Sequence, residues 1–230
     1  MSRLEQVESE IVSCVRCPRL VAWRAESAAH PPARFAGQTY WARPVPGFGE
    51  PAARVLVVGL APAAHGGNRT GRVFTGDRSG DFLFAVLHET GFADRPVSSE
   101  RGDGLRLTDL YIAAVNRCAP PDNKPTPAER DNCLPYLAQE LRALDRVRVV
   151  VCLGAFAWDG TLRALAMLGY IRRPRPRFGH LALAEVGPYT LLGAFHPSQQ
   201  NTFTGKLSPA MLREVFVRAR SLGGLPSAVE

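Results

Sequence analysis

The chain has 230 residues, of which 46% are hydrophobic, and it carries a formal net charge of +7. This length and apolar content suit one α/β domain with a sizeable core, and the positive charge favours a polyanionic partner. No apolar run approaches the roughly 18 residues of a membrane span, and the charged N-terminus is unlike a signal peptide, so we expect a cytoplasmic protein with no membrane partner.

Four of the five cysteines form two pairs that lie far apart in the chain. The four are Cys14, Cys17, Cys118 and Cys133. A predicted helix over residues 4–13 leads into the first pair, and the second pair flanks the proline-rich segment 119–125. In a reducing compartment such cysteines are metal ligands rather than disulfides, and four thiolates can bind an iron–sulfur cluster or zinc. The fifth, Cys152, lies in a predicted strand and is interpreted as a small core residue.

Between residues 25 and 53 the chain is rich in proline, glycine and aromatic residues, which predicts an ordered loop. Apolar runs that alternate with helical patterns then fill the rest of the chain. The predicted strands cover residues 54–59, 109–115, 147–153 and 189–195. The predicted helices cover residues 79–90, 126–144, the stretch from the third strand to residue 168, and 207–222.

Buried strands separated by helices are typical of a parallel sheet that is covered on both faces. We therefore predict an α/β fold, a single three-layer α/β/α domain over residues 1–222 with a central, mostly parallel four-stranded sheet. Residues 223–230 are expected to form a disordered tail. In such folds ligands bind at the carboxyl ends of the strands.

The first strand ends in a glycine-rich loop that runs from Gly59 to Asp77. It matches neither a Walker A loop nor a dinucleotide-binding fingerprint. Backbone amides at Gly59, Ala61 and Ala63, together with the ring of Phe74, can hold a flat polar ring. Asp77 supplies a carboxylate. The alternatives are that Phe74 is a core residue and that Asp77 only caps the next helix.

The fourth strand ends at His196, which a polar loop containing Ser198 and Gln199 follows. This position makes His196 a candidate functional residue. The second strand leads into Asn116 and, further on, Asn123. Either amide can hydrogen-bond the edge of a base, or else stabilise the proline-rich turn.

Three segments, residues 59–77, 116–125 and 196–205, resemble the signatures of the uracil-DNA glycosylase superfamily in order along the chain. With the four cysteines, the resemblance is greatest to family 5, the B-type, iron–sulfur-containing enzymes. It implies a DNA repair enzyme that flips uracil, and other deaminated bases, out of DNA and hydrolyses the N-glycosidic bond. It also implies a [4Fe–4S] cluster on the four cysteines, single- or double-stranded uracil-containing DNA as the partner, a monomer near the nucleoid, and contact with a sliding clamp.

The sequence departs from its relatives where other branches carry a catalytic or base-reading polar residue. Leu60 and Ala61 stand where those branches have a glutamate, asparagine or aspartate, and Ala113 or Ala114 replaces an asparagine. The resemblance therefore assigns catalysis to two other residues. They are Asp77, to orient water or stabilise the sugar cation, and His196, to donate to the departing base.

Two rival interpretations remain open at this stage. One is an iron–sulfur redox or binding module that uses the α/β domain as a scaffold. The other is a zinc-stabilised module that binds nucleotides or nucleic acid without glycosylase activity. The first of these leaves the polar loop that follows His196 unexplained.

Overall fold

Six strands form one sheet in the computed structural model of the chain, which describes residues 1–226. In chain order they are β1 (Phe48–Gly49), β2 (Val55–Gly59), β3 (Leu110–Ala114), β4 (Val149–Leu153), β5 (Leu183–Val186) and β6 (Tyr189–Ala194). The spatial order is β1-β3-β2-β4-β6-β5, and the four central strands are parallel. Their carboxyl ends therefore share one edge of the sheet, where ligands bind in this class of fold.

The two outermost strands, β1 and β5, pair antiparallel with their neighbours and make six strands where four were predicted. Neither carries the continuous apolar run of a central strand. β1 has only two residues, and β5 alternates exposed and buried side chains, as an edge strand does. The α/β/α prediction is confirmed, while the strand count was wrong because short edge strands lack a buried run.

Helices cover both faces of the sheet. They are α1 (Arg3–Val12), α2 (Pro18–Ala29), α3 (Gly67–Thr70), α4 (Arg78–Glu89), α5 (Pro127–Ala143), α6 (Ala155–Met167), α7 (Gln199–Phe203) and α8 (Pro209–Leu222). Single 3-10 turns lie at Ala33–Phe35 and Pro121–Asn123. α4 and α8 pack on one face, and α5 and α6 pack on the other. None of the helices in residues 1–226 has the length and apolar character needed to cross a membrane.

The predicted disordered tail does not begin directly after α8. Leu225 is 7% exposed and packs into the core, and Arg220 Nε donates to the carbonyl of Pro226 at 2.8 Å. An apolar side chain within reach of the sheet thus orders residues 223–226. The rest of the predicted tail, residues 227–230, lies outside the described residues.

A buried ion pair joins the segment that follows β3 to α5, beside the cysteine-containing segments. Arg117 and Glu140 are 1% and 0% exposed, and Arg117 Nη1 donates to Glu140 Oε1 at 3.0 Å. Burial raises the pKa of Glu140 above its usual value, although the charge of Arg117 and its hydrogen bond oppose this effect. Loss of either charge would leave the other one buried and unpaired.

We expect Glu140→Gln to lower the free energy of unfolding by about 3–5 kcal/mol, because the charge of Arg117 then has no partner. Urea titration followed by circular dichroism measures this change. Glu10→Gln, on the exposed surface of α1, is the matched control and should leave the unfolding curve almost unchanged. Equal curves for the two variants would show that the ion pair contributes nothing.

Candidate active site and four-cysteine site

The ring of Phe74 lies against the end of β2 and beside His196. A Cβ atom on Gly59 would come within 2.7 Å of the Phe74 ring, so only glycine allows this approach. Phe74 has a φ of 50°, an uncommon backbone conformation for an aromatic residue. The Phe74 and His196 ring centroids are 5.9 Å apart. The structure thus brings three predicted site residues together at the carboxyl ends of β2 and β6.

Buried polar contacts hold the glycine-rich loop in this shape. Arg72 is 4% exposed, and its guanidinium donates to Asp103 Oδ1 at 2.8 Å and to Ser98 Oγ at 2.9 Å. Thr75 Oγ1 also hydrogen-bonds Ser98 Oγ, at 2.6 Å. These bonds tie the loop to residues 98–103 and fix the backbone on either side of Phe74.

Asp77 caps α4, since its Oδ1 accepts a hydrogen bond from the Gly80 amide at 3.0 Å. The same carboxyl lines a cleft of about 580 Å³. Burial raises the pKa of Asp77, against hydrogen bonds from the Gly80 and Ser79 amides that lower it. Asp77 therefore caps the helix and also presents its carboxyl group to the cleft, so its position suits both predicted roles.

His196 lies two residues beyond the end of β6, and Asn201 Nδ2 donates to its carbonyl oxygen at 2.8 Å. Burial lowers the pKa of His196 to about 4. The imidazole is therefore neutral at physiological pH, with one ring N–H to donate. Such a group can stabilise negative charge that develops on a bound molecule.

Asn116 is fully buried just beyond β3, and its backbone N–H donates to the Leu60 carbonyl oxygen at 2.9 Å. Within residues 1–226, neither its side-chain oxygen nor its side-chain nitrogen has a hydrogen-bond partner. Buried amides are almost always paired, so this side chain has capacity to bind a ligand.

The other predicted binding residues are placed less uniformly. Ala63, Asn123 and Gln199 line the cleft, and Asn123 has a φ of 56°. Ala61 is half-buried in the loop after β2. Ser198 caps α7, where its hydroxyl accepts from the Asn201 amide at 3.4 Å, so its side chain already has a structural role.

One wall of the cleft comes from residues that the sequence did not mark as part of the site. Trp23 on α2, Phe35 in the first 3-10 turn and His65 on the glycine-rich loop all line it. His65 Nδ1 lies 3.0 Å from Tyr40 Oη. A sequence signal existed only for Phe35, since residues 25–53 are unusually aromatic for a loop.

The four predicted metal-binding cysteines line a single small cavity between α2, α5 and the segments that follow α1 and β3. Sulfur atoms receive N–H donors there: Arg24 Nη1 lies 3.2 Å from Cys118 Sγ, and Asn132 Nδ2 lies 3.6 Å from Cys17 Sγ. Burial raises the pKa of Cys118 to about 11 and that of Cys133 to about 12. Without a bound cation these two side chains are therefore neutral thiols.

Across residues 1–226, no group of three or more histidine, cysteine or carboxylate side chains is arranged to hold a metal ion. A cluster makes a different demand from a single ion, because each cysteine binds its own iron and the sulfurs need not converge on one point. Four cysteines around one cavity, with N–H donors to sulfur, fit that demand. Cys152 lies apart from them, fully buried in β4, which confirms its assignment to the core.

Comparison with known proteins shows the family of this chain. The sequence model of the uracil DNA glycosylase superfamily matches residues 46–220. The type-5 uracil-DNA glycosylase of Mycobacterium tuberculosis is 52% identical over 222 residues, which cover 96% of this chain and 82% of that protein. The type-5 enzyme of Thermus thermophilus is 50% identical and covers 94% of this chain and 96% of its own length. A type-4 uracil-DNA glycosylase of Archaeoglobus fulgidus matches only 49% of the chain, at 38% identity. The chain therefore belongs to the uracil DNA glycosylase superfamily, in the type-5 branch, as its three sequence segments predicted.

Proposed function

We propose that this protein is a DNA repair glycosylase that flips uracil out of DNA and hydrolyses its N-glycosidic bond, leaving an abasic site. The observation that carries the proposal is the stack of Phe74 on Gly59 beside His196, at the end of the sheet where ligands bind. The target atom of a base is hidden inside duplex DNA, so the nucleotide must rotate into the protein.

Phe74 and the loop after β2 hold the flipped base. The ring of Phe74 stacks on the base, as aromatic side chains do on extruded nucleotides. Backbone amides at Gly59, Ala61 and Ala63 donate to its carbonyl oxygens. Asn116 supplies a donor and an acceptor to its polar edge, which would satisfy an amide that has no partner within residues 1–226.

Asn116→Ala is expected to lower uracil excision roughly 10- to 100-fold, which corresponds to the cost of about 1–3 kcal/mol for a lost hydrogen bond in a buried site. The urea unfolding midpoint should not fall, because the side-chain amide of Asn116 makes no hydrogen bond within the described residues. Gln6→Ala, which removes an exposed side-chain amide on α1, is the control and should excise uracil at the wild-type rate. A destabilised but fully active Asn116→Ala variant would assign Asn116 to the fold instead.

His196 and Asp77 act on the breaking bond. Negative charge develops on the departing base and positive charge on the sugar. The neutral His196 ring donates to the O2 oxygen of the base, and this bond strengthens as the charge forms. The Asp77 carboxylate orients the attacking water or stabilises the sugar cation, as carboxylates do in other glycoside hydrolyses.

The segment after His196 supports the flipped state from outside the cleft. α7 ends at Phe203, whose side chain is 68% exposed, with the Arg78 guanidinium 5.7 Å from its ring centroid. Lys206 follows, with Nζ 5.0 Å from the Phe195 ring centroid. An exposed ring beside one cation, with a second cation three residues further along the chain, suits entry into the base stack next to phosphates, so binding should weaken steeply with salt.

The four cysteines, Cys14, Cys17, Cys118 and Cys133, would hold a [4Fe–4S] cluster. Its contribution is structural, since hydrolysis of the glycosidic bond needs no electron transfer. It would pin α1, α2 and the segment between Cys118 and Cys133 beside the sheet, where they support Trp23 and Asn123 at the cleft. Zinc is the competing metal, and the iron content of the purified protein distinguishes the two.

The proposed activity is tested with a duplex that contains one uracil and an otherwise identical duplex that contains cytosine. After incubation and alkali, only the uracil strand should break, at the position of the uracil. Intact uracil DNA after incubation with excess enzyme would contradict the proposal. Matched duplexes with hypoxanthine or xanthine then define which other deaminated bases are accepted.

A further inference from the structure

Arg24 lies on the inward face of α2 and is 7% exposed. Its Nη1 donates to Cys118 Sγ at 3.2 Å and lies 3.5 Å from the Cys14 carbonyl oxygen. In the part of the chain from 1 to 226, none of the ion pairs between basic side chains and carboxylates includes Arg24. A guanidinium stays charged in proteins, and a buried charge requires a partner.

An opposite charge would lie at hydrogen-bond distance from Arg24 if Cys118 bound a metal as a thiolate. Cysteine binds iron as a thiolate, and four thiolates outweigh the positive charge of a cluster core. The occupied site is therefore negative overall. A buried cation at hydrogen-bond distance from one of its sulfurs compensates that charge in a medium where water does not screen it.

The backbone of Arg24 is held as firmly as its side chain. Its carbonyl oxygen accepts a hydrogen bond from Asn68 Nδ2 at 3.2 Å, and Asn68 is 1% exposed on α3. The backbone N–H of Asn68 in turn donates to the Ala63 carbonyl oxygen at 3.0 Å. The Arg24 side chain thus contacts the cysteine site, while its backbone is bonded to the loop that follows β2.

We propose that Arg24 is a positioning residue that balances the negative charge of the four-cysteine cluster and raises the reduction potential of that cluster. The inference rests on the proposed cluster but not on the proposed glycosylase activity. A fixed positive charge favours the reduced cluster, which carries one more electron. Reduction potential is among the properties that hydrogen bonds to sulfur control.

Replacing Arg24 with methionine removes the charge at similar length. We expect the one-electron reduction equilibrium of the cluster to shift at least tenfold towards the oxidised form. This shift corresponds to a reduction potential that is at least about 59 mV more negative. Arg24→Lys keeps the charge and should stay close to the wild-type potential. Arg16→Met is the matched control: Arg16 lies between the cysteine ligands but is exposed, so water screens its charge and the shift should be smaller.

The potential is measured by spectroscopic redox titration on protein whose iron, sulfide and uracil excision are assayed in the same preparation. An Arg24→Met potential equal to that of the wild type would overturn the proposal. If that variant loses its cluster on purification, Arg24→Gln, which retains a donor to Cys118 but no charge, replaces it under the same criterion. Wild-type protein that excises uracil but contains no iron would overturn the cluster and the role of Arg24 while leaving the glycosylase assignment intact.

Discussion

Replacing His196 with alanine is expected to lower the rate of uracil release roughly 10²- to 10³-fold, the usual cost of removing one donor from a developing anion. The ring lies at the end of β6 against Phe74, where the O2 oxygen of a stacked base would receive its N–H. Single-turnover assays with enzyme in excess over a uracil duplex measure the chemical step directly. Binding of the duplex should change much less, because the bond matters most in the transition state.

His88→Ala is the matched control for this variant, since His88 is exposed on α4. It should excise uracil at the wild-type rate. If His196→Ala were equally active, the donor role would be wrong, and the stack with Phe74 would be a packing contact only.

The low pKa of His196 also predicts the shape of the pH profile. Because burial lowers its pKa to about 4, the ring is neutral throughout the range in which an ordinary histidine titrates. The excision rate should therefore show no histidine-like inflection near pH 6.5. The same shift makes the folded state lose stability as the pH falls from about 6.5 through 4, since the unfolded chain binds the proton more readily.

Replacing Asp77 with asparagine is expected to lower the excision rate by about 10²- to 10⁴-fold, the typical contribution of a positioned acid or base. Asparagine caps a helix about as well as aspartate, so the hydrogen bond from the Gly80 amide is retained. Only the charge that stabilises the sugar cation or orients water is lost. The measurements are the single-turnover rate and, on the same protein, the urea unfolding curve.

Asp77→Ala separates the cap from the catalytic role, because it should cost about 1 kcal/mol in stability in addition to the rate. Burial raises the pKa of Asp77. Excision by the wild type should thus fall as the pH drops through this raised value, and Asp77→Asn should lack that inflection. The stability contribution of the protonated carboxyl has the opposite sign: it is present at low pH and is lost as the pH rises through the raised pKa. An Asp77→Asn enzyme of normal rate would limit Asp77 to capping α4.

The centre of the fold could be predicted because its signals are continuous and local. β2, β3 and β4 are uninterrupted apolar runs, β6 is interrupted only by Thr190, and glycine or polar residues follow these strands. The strand-end rule then places Gly59, Phe74 and His196 on one edge without any knowledge of side-chain contacts.

The part of the aromatic wall that α2 contributes could not be predicted in this way, because α2 lacks an apolar helical periodicity. Its buried face consists of Leu20, Arg24 and Ser27, of which only the first is apolar. Cys118 and Asn68, which both lie far away in the sequence, bond the side chain and the backbone carbonyl of Arg24. Trp23 therefore reaches the cleft on a helix that an apolar pattern does not reveal.

The burial of Asn116 and its unpaired side chain could not be predicted from the sequence either. An asparagine after a strand is typical of a turn, where its amide binds nearby backbone. In the structure its backbone bonds to Leu60 while its buried side chain finds no partner within residues 1–226. Burial and hydrogen bonding depend on how β2 and β3 pair, which no local pattern contains.

Release of the free base is the most direct test of the central proposal. Wild-type protein in excess is mixed with a duplex that carries one radiolabelled uracil, and free uracil and alkali-labile sites are counted together over time. We expect one free uracil for each abasic site, with equal rates, and neither product from the Asp77→Asn, His196→Ala double variant at the same times. A wild-type enzyme that binds the duplex and releases no uracil would contradict the account.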